Sequence, residues 1–491
     1  MGPTTPNDRL PITDRLLRSW LRCRRRAWLD LHGEASERLW TAHRSLQLED
    51  QYRSFAALVP RRPRHGPGAC AEGAEAVVGL RLRGPGPGGL ELEAHPPLLQ
   101  RVEGHSRWGG WAYRPVLARQ GRRLTREHRL AMSFSGRLLA RTQQGPVDHA
   151  LVVAVSGGAL EQERLALTPA LERQLDGQLL RMGEELGAGP MPPLTTDRKK
   201  CTLCSWRGFC GREAAAEGHL SEVSGIGAKR RELLIELGLP RLADLAAADP
   251  EQLADALEVH GEQHREVAAQ LVAQARVQRS GVPQRLGAGP ALPELESAPG
   301  VLIYDIESDP DARDDFLHGF LRLERGSDGW GDADAAPYHP LMALYEHGEA
   351  RLWLRLQRLL ARYPGWPVLH YGETESLALV RLAQRQGATD AELEALRARC
   401  LDLHQRLKRH WLLPVNSYGL KAVAGWLGFQ WSQKGVDGAR CLLWWRQWRS
   451  GTASAPRGSH HLLRRIFRYN HDDGLATWRV AQWLLEQDSR S

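Results

Sequence analysis

The chain has 491 residues, 42% of them apolar and 25% charged, a balance that excludes a disordered or fibrous protein and is long enough for several independent cores. Its formal charge is +8 and its pI about 9.3, with arginine the main source of the excess; this favours polyanionic partners without identifying one, and arginine beside abundant alanine, glycine and leucine is also what a GC-rich genome encodes. No run of about 18 uncharged apolar residues occurs, so no membrane span is expected, and the opening "MGPTTPNDRLPITD" lacks the basic and apolar regions of a secretory signal, which makes the cytoplasm the expected location.

In chain order, residues 8 to 60 read as helices, followed by a Gly/Pro/Arg-rich turn at 61 to 69. "AEAVVGLRLRGPGPGGLELEAHPPLLQRVEG" then alternates like strands around a glycine-rich turn. Helical patterns at 124 to 143 and 168 to 187 flank the strand-like "HALVVAVSG". Together these predict an α/β domain over residues 1–215. Residues 216–282 carry only helical periodicity, and 283–298 are rich in Pro and Gly and read as a linker. Residues 299–487 begin with strand-like runs, "VLIYDIE", "PLMALYEH", "EARLWLRL" and "WPVLHY", before a helical second half. The fold class expected is therefore an α/β multidomain protein with an all-α middle.

Seven cysteines lie at 23, 70, 201, 204, 210, 400 and 441. In an intracellular chain their clustering matters more than their parity. "CTLCSWRGFC" is C-x2-C-x5-C, close enough for Cys201, Cys204 and Cys210 to converge on one metal centre. Cys23, in "RCRRRAWLD", is the candidate fourth ligand, and its flanking arginines would lower a thiol pKa and attract phosphates. Four thiolates suit zinc as well as iron–sulfur, and spacing alone does not choose between them.

The pairing of an N-terminal C-x-R-R-x-W-L with a later C-x2-C-x5-C resembles the RecB-like nucleases stapled by a [4Fe–4S] cluster, over roughly residues 10 to 215. The resemblance implies a PD-(D/E)xK-type α/β domain in which Cys23, Cys201, Cys204 and Cys210 ligate the cluster. That family holds Mg²⁺ with an Asp after one strand and a D/E-x-K on the next. Here the corresponding strand is "AYRPVLAR", which offers Ala118 and Arg119, and no carboxylate occurs from Tyr113 to Arg123. Glu103 and His105 are the nearest upstream ligands and do not restore the motif. A degenerate nuclease domain kept as a nucleic-acid-binding platform is expected, with catalysis by an unrecognised acid as the alternative.

"VSGIGAKRRELLIELGL", 223 to 239, places Gly225, Ile226 and Gly227 before a helix, with Lys229 and Arg230 in its first turn. Free amides, a positive helix end and two cations suit a sugar–phosphate backbone, contacted without regard to sequence. The segment resembles a helix-hairpin-helix DNA-binding motif; an ordinary glycine turn between packed helices is the plainer reading.

In "VLIYDIESDP", Asp305 and Glu307 are two apart at the end of an apolar run, so on a strand both project from one face. Adjacent carboxylates repel, which points to a cation between them. "WPVLHYGETESLALVRLA" is a strand ending at His370 and then a helix with Glu373 and Glu375 in its first turn, where acids also suit the helix dipole. "RYNHDDGLATWRVAQWLLEQ" is read as opening a last helix, with Tyr469 and Asp473 on one face and Asp472 as a cap or solvent-facing acid.

The order D-x-E, an acid at a strand–helix junction, then Y-x3-D resembles the DEDD exonucleases of the ribonuclease H-like superfamily. "LHYGETES", "CLDLHQRLKRHWLLPVNSYGLK" and "YNHDDGLAT" are similar to its YprB-like branch, over residues 299–487. The resemblance implies that Asp305, Glu307, Glu375 and Asp473 hold Mg²⁺ or Mn²⁺ and that Tyr469 orients the attacking water. Glu375 stands where an Asp is usual, and Asp402 and Lys421 fall in matching phrases as supporting residues. The expected activity is metal-dependent 3′ to 5′ exonucleolytic hydrolysis of DNA; the alternatives are an RNA-directed exonuclease and a non-catalytic nucleic-acid-binding or repair scaffold. The sequence is silent on oligomeric state.

Overall fold

The structure, a computed structural model, describes residues 11–119, 123–156, 159–187, 189–195, 198–343, 348–451 and 460–490. The chain divides into two units, Met1–Arg212 and Glu213–Ser491.

The first unit opens with helices α1 (Asp14–Arg22) and α2 (Arg24–His32). Thr13 caps α1 by accepting from the Leu16 amide at 3.0 Å, and Leu16, Leu17 and Trp20 form its buried face. Cys23, with extended backbone (φ −162°, ψ 119°), breaks the run and starts α2. Helix α3 (Ala42–Leu58) precedes a six-stranded sheet in the order β1 (Arg64–His65), β2 (Ala76–Val78), β3 (Leu98–Ser106), β4 (Gly109–Ala118), β5 (His149–Ser156), β6 (Ala159–Ala166). The β1/β2 and β4/β5 pairs are parallel and the others antiparallel. Helices α4 (Arg126–Gln143) and α5 (Pro169–Gly187) send Leu130, Phe134, Leu138, Leu175 and Leu179 into one core with α1; each such side chain contributes about 1.5–3 kcal/mol by leaving water. Helix α6 (Arg207–Glu217) begins within this unit and carries Cys210.

The second unit starts with short helices around a leucine core that includes Leu233 and Leu234 of α7 (Ala228–Glu236) and Leu271 of α8 (Ala268–Ser280). Buried Gln274 of α8 donates to the Leu413 carbonyl at 2.8 Å and accepts from the Tyr418 hydroxyl at 3.1 Å. Residues 283–298, expected to link two domains, pack onto the C-terminal part. Gln284–Arg285 pairs antiparallel with Trp411–Leu412, and Ala291, Leu292 and Leu295 enter the core. Proline and glycine content signalled irregular backbone, but three apolar side chains were enough to anchor it.

The C-terminal sheet has the order Gly329–Trp330, β8 (Asp314–Gly326), β7 (Gly300–Asp309), β10 (Val368–His370), β11 (Cys400–Asp402), with β9 (Tyr338–Met342) also on β8. Strands β7, β8 and β9 are antiparallel neighbours; β7, β10 and β11 run parallel. Helices α9 (Gly348–Arg362), α10 (Glu373–Arg385), α11 (Leu403–His410), α12 (Leu420–Trp426), α13 (Gly438–Gly451) and α14 (His460–Asp488), with a further helix over Asp390–Arg399, complete it among the described residues. Residues 344–347 of "PLMALYEH" lie outside the described residues. "EARLWLRL" is helix α9, not a strand: Leu352, Leu356 and Leu360 recur every fourth residue and are buried, so the helical period overrides the local alternation. "YNHDD" lies in the middle of the 29-residue α14 instead of at its start, because Leu463 and Ile466 extend the apolar stripe upstream. No described helix is long and apolar enough to cross a membrane.

Candidate active site

Strand β7 runs through the centre of the sheet with Val301 to Tyr304 fully buried, and its C-terminal half delivers Asp305 and Glu307 to one face. A register shift directly after Glu307 interrupts the pairing with β8, which resumes at Ser308 and Asp309; this is the kind of bulge that re-aims a side chain. Helix α14 brings Asp473 to the same place: ligand oxygens of Asp305, Glu307 and Asp473 all lie within 4.8 Å of one another. Among the described residues, this is the group of three or more potential ligands that closes to that distance.

Burial, then the Asp473 charge, holds the Asp305 and Glu307 carboxyls well above the usual carboxylate range. Asp473 is pushed up to about 6, again chiefly by burial, while the Trp431 indole and the Lys421 ammonium favour its charged form. Glu375, in the first turn of α10, is pushed up to about 7 by burial. It stands outside the close group, but its charge reaches Asp305 and Glu307, and its Oε2 is buried without a hydrogen-bond partner. Four acids in a desolvated place, one with an orphaned oxygen, fit a divalent cation: it would satisfy the donor set and remove the repulsion.

Several residues that no motif singled out fix the acids. The Asn470 side-chain amide donates to Asp305 Oδ2 at 2.6 Å and accepts from the Tyr338 hydroxyl at 2.7 Å. Gly319, opposite Asp305 across β7 and β8, leaves the room for Asn470: a Cβ there would sit 1.7 Å from its Oδ1. Trp431 Nε1 donates to Asp473 Oδ1 at 2.6 Å. Arg446 of α13 grips Asp309, two residues beyond Glu307, with bonds of 2.8 and 2.7 Å, both side chains being under a tenth exposed.

Tyr469 is buried in α14, one turn before Asp473, with the Lys421 ammonium 4.8 Å from its ring centroid. Lys421 also donates to the Val436 carbonyl at 2.6 Å. Asp472 is neither a cap nor solvent-facing: it is buried and accepts from the Ser432 amide and hydroxyl at 2.9 and 2.7 Å, because mid-helix placement turns it toward the 431–433 segment. Asp402 accepts from the amides of Gly372 at 3.0 Å and His404 at 2.9 Å, pinning the entry to α10 and capping α11. His370 is buried and bonded to the Gly372 carbonyl at 2.6 Å.

The other expected residues lie elsewhere. Cys23, Cys201, Cys204 and Cys210 all line one cavity of about 730 Å³ in the first unit, and burial pushes the Cys201 thiol up to about 11. Their sulfurs do not gather three at a time within 4.8 Å, so convergence on one cavity is the extent of the geometry. Gly225 (φ +91°) turns the chain, Gly227 is the N-cap of α7, and Ile226 packs on the helical core. Lys229 is exposed, while Arg230 donates to the Gly225 carbonyl at 2.6 Å and braces the turn.

An antiparallel three-strand edge continued by two parallel strands, with acids from the central strand and the last helix meeting at one point, defines an acid-centred α/β domain. The sequence profile of the RNase H superfamily matches residues 302–485. The C-terminal domain is thus ribonuclease H-like, which supports a nucleic-acid-cleaving hydrolase. No curated protein matches the chain.

Proposed function

We propose that the protein is a metal-dependent exonuclease whose chemistry resides in the C-terminal domain. The observation that carries this is the approach of Asp305, Glu307 and Asp473 to within 4.8 Å in a domain matching the RNase H superfamily. Together with Glu375 they would hold Mg²⁺ or Mn²⁺. Such ions activate water at neutral pH and neutralise charge on the phosphate and leaving oxygen. Asn470 and Trp431 hold two of the carboxylates in place, and Tyr469 is positioned to orient the incoming water. Polarity 3′ to 5′ and preference for DNA follow from the DEDD resemblance.

The Gly225–Gly227 turn with Lys229 is read as a helix-hairpin-helix contact to the strand backbone. The first domain is read as RecB-like and catalytically degenerate, with Cys23, Cys201, Cys204 and Cys210 holding a [4Fe–4S] cluster, or zinc as the alternative. Four half-buried thiols on one cavity give a suitable donor set; iron and sulfide content with absorption at about 400 nm separates the two.

The test is Mn²⁺-dependent degradation of end-labelled single-stranded DNA and RNA by the wild type and Asp305→Asn. Activity lost in the variant with binding intact is the expected result. Activity retained would move the chemistry out of the C-terminal domain, and inactivity of both proteins would make the chain a binding scaffold.

A further inference from the structure

The cavity of the first unit is unusual in its charge. Ten of its lining residues are Arg or Lys and one, Asp14, carries a carboxylate, which is occupied in accepting from the His95 amide at 3.1 Å. Seven of the cations fall into two sets. Arg25, Arg26 and Arg198 lie beside the thiols and favour their charged forms. Arg15, Arg18, Arg22 and Arg44 form the second set. Burial and then the repulsion of Arg15 and Arg18 hold the Arg44 guanidinium below its usual range.

Neutralisation within the protein is incomplete. Arg18 and Arg22 share Glu127 at 2.8 and 2.5 Å; Arg15 and Arg44 have no carboxylate partner among the described residues. Guanidiniums gathered against their own repulsion, around a cavity, are placed for an anion from outside. Ala118 and Arg119, nearest the place where the nuclease motif would put an acid, offer no carboxylate, and Asp14 is the one carboxylate of the lining among the described residues, so the cavity can bind a phosphate but has no pair of carboxylates to hold a cleaving metal.

Two further features specify the anion. A half-open cavity of about 730 Å³ has room for one backbone but not for a duplex, which is gripped on its outer surface or in its grooves. Trp40 and Tyr52, 51% and 69% exposed, are close in sequence to the lining residues Arg38, Thr41 and Gln51 without lining the cavity themselves; exposed aromatic rings beside a cationic surface are a combination that single-strand binders use.

We infer that this cavity binds the phosphodiester backbone of a single-stranded nucleic acid, with Arg15, Arg18, Arg22 and Arg44 on the phosphates, and holds it without cutting it. This deepens the expectation of a binding platform by naming its residues and its ligand, and it does not depend on catalysis in the C-terminal domain.

The test uses the full chain in metal-free buffer, where hydrolysis is silent, and follows the anisotropy of fluorescein-labelled oligo(dT), oligo(rU) and a duplex of equal length. The wild type is expected to prefer the single strands. The variant Arg15→Glu/Arg44→Glu should bind them at least about ten-fold more weakly at moderate salt, and the slope of log K against log salt should fall by about 1.4, the loss of two single-strand phosphate contacts. Arg15→Lys/Arg44→Lys keeps the charges and should restore most of the affinity, which a purely structural role for the guanidiniums would not allow. Unchanged affinity and slope in the Glu variant, or a preference for duplex that the Glu variant retains, overturns the proposal. If the Glu variant fails to fold, Arg15→Gln/Arg44→Gln carries the same salt-slope test. Loss of Mn²⁺-dependent hydrolysis in Asp305→Asn with binding unchanged would bear on the C-terminal reading alone.

Discussion

Gly319→Ala tests the geometry around Asp305 through a residue that offers no ligand itself. The added methyl would sit 1.7 Å from Asn470 Oδ1, so the amide must retreat by about 1.7 Å to reach the 3.4 Å of ordinary contact. That movement breaks the 2.6 Å bond from Asn470 to Asp305. Without metal, Asp305 is held toward its neutral form, and a neutral hydrogen bond is worth about 0.5–1.5 kcal/mol. Overfilling a packed site costs about 1–3 kcal/mol, so the expected destabilisation of the metal-free protein in urea is about 1.5–4 kcal/mol. Misplacement of a ligand by this distance should lower kcat/KM about 10- to 100-fold. A double-mutant cycle is the decisive assay: with Asn470→Ala already in place the methyl has no amide to displace, so Gly319→Ala should then have little further effect on activity. Full activity in Gly319→Ala, or strictly additive losses, would refute the coupling.

Arg446→Met should destabilise by about 3–5 kcal/mol at pH 7, since it strands the buried Asp309 carboxylate. Burial raises the Asp309 carboxyl, but its bonds to Arg446 more than offset this and hold it below the usual range, so the pair's contribution is present above the unfolded-state pKa near about 4 and is lost as pH falls through the lower folded value. The gap between variant and wild type in urea should therefore shrink in acid; a gap independent of pH would count against the pair. The metal-free acids act with the opposite sign. Glu375 at about 7 and Asp473 at about 6 are raised, so the folded state binds their protons more tightly and loses stability as pH rises from about 4 toward 7. The melting temperature without metal should fall over that range, and Mn²⁺ should raise it more at about pH 8 than at about pH 5.5. Equal Mn²⁺ shifts at both would remove these carboxylates from the metal site.

Much of the acid cluster was legible because its parts are local. The two-residue spacing of Asp305 and Glu307 on an apolar strand and the four-residue spacing of Tyr469 and Asp473 are periodicities of strand and helix, and both residue pairs lie on one face as those periods require. The supports were not legible. Asn470 meets Asp305 across 165 residues and Trp431 meets Asp473 across 42, contacts set by tertiary packing that no local pattern encodes. Gly319 looked like any strand glycine until Asn470 was seen beside it. Two elements misread in type or extent, "EARLWLRL" and the start of α14, failed for one reason: the helical stripe, Leu352, Leu356 and Leu360 in one case and Leu463 and Ile466 in the other, shows its period only over a stretch longer than the window read.

The placement of Asp473 and Asn470 on α14 also orders events in time. A ribosome adding about 5–20 residues per second takes roughly 8–33 s to pass from Asp305 to Asn470, and through that interval the emerging sheet holds two mutually repelling acids with neither partner from the helix. The carboxylate cluster closes only when one of the last elements of the chain docks. A nascent chain stalled before α14, or one clipped ahead of it, keeps the cationic cavity of the first unit but never assembles the three-acid centre, so the order of synthesis would make the proposed strand holding available before the proposed cleavage.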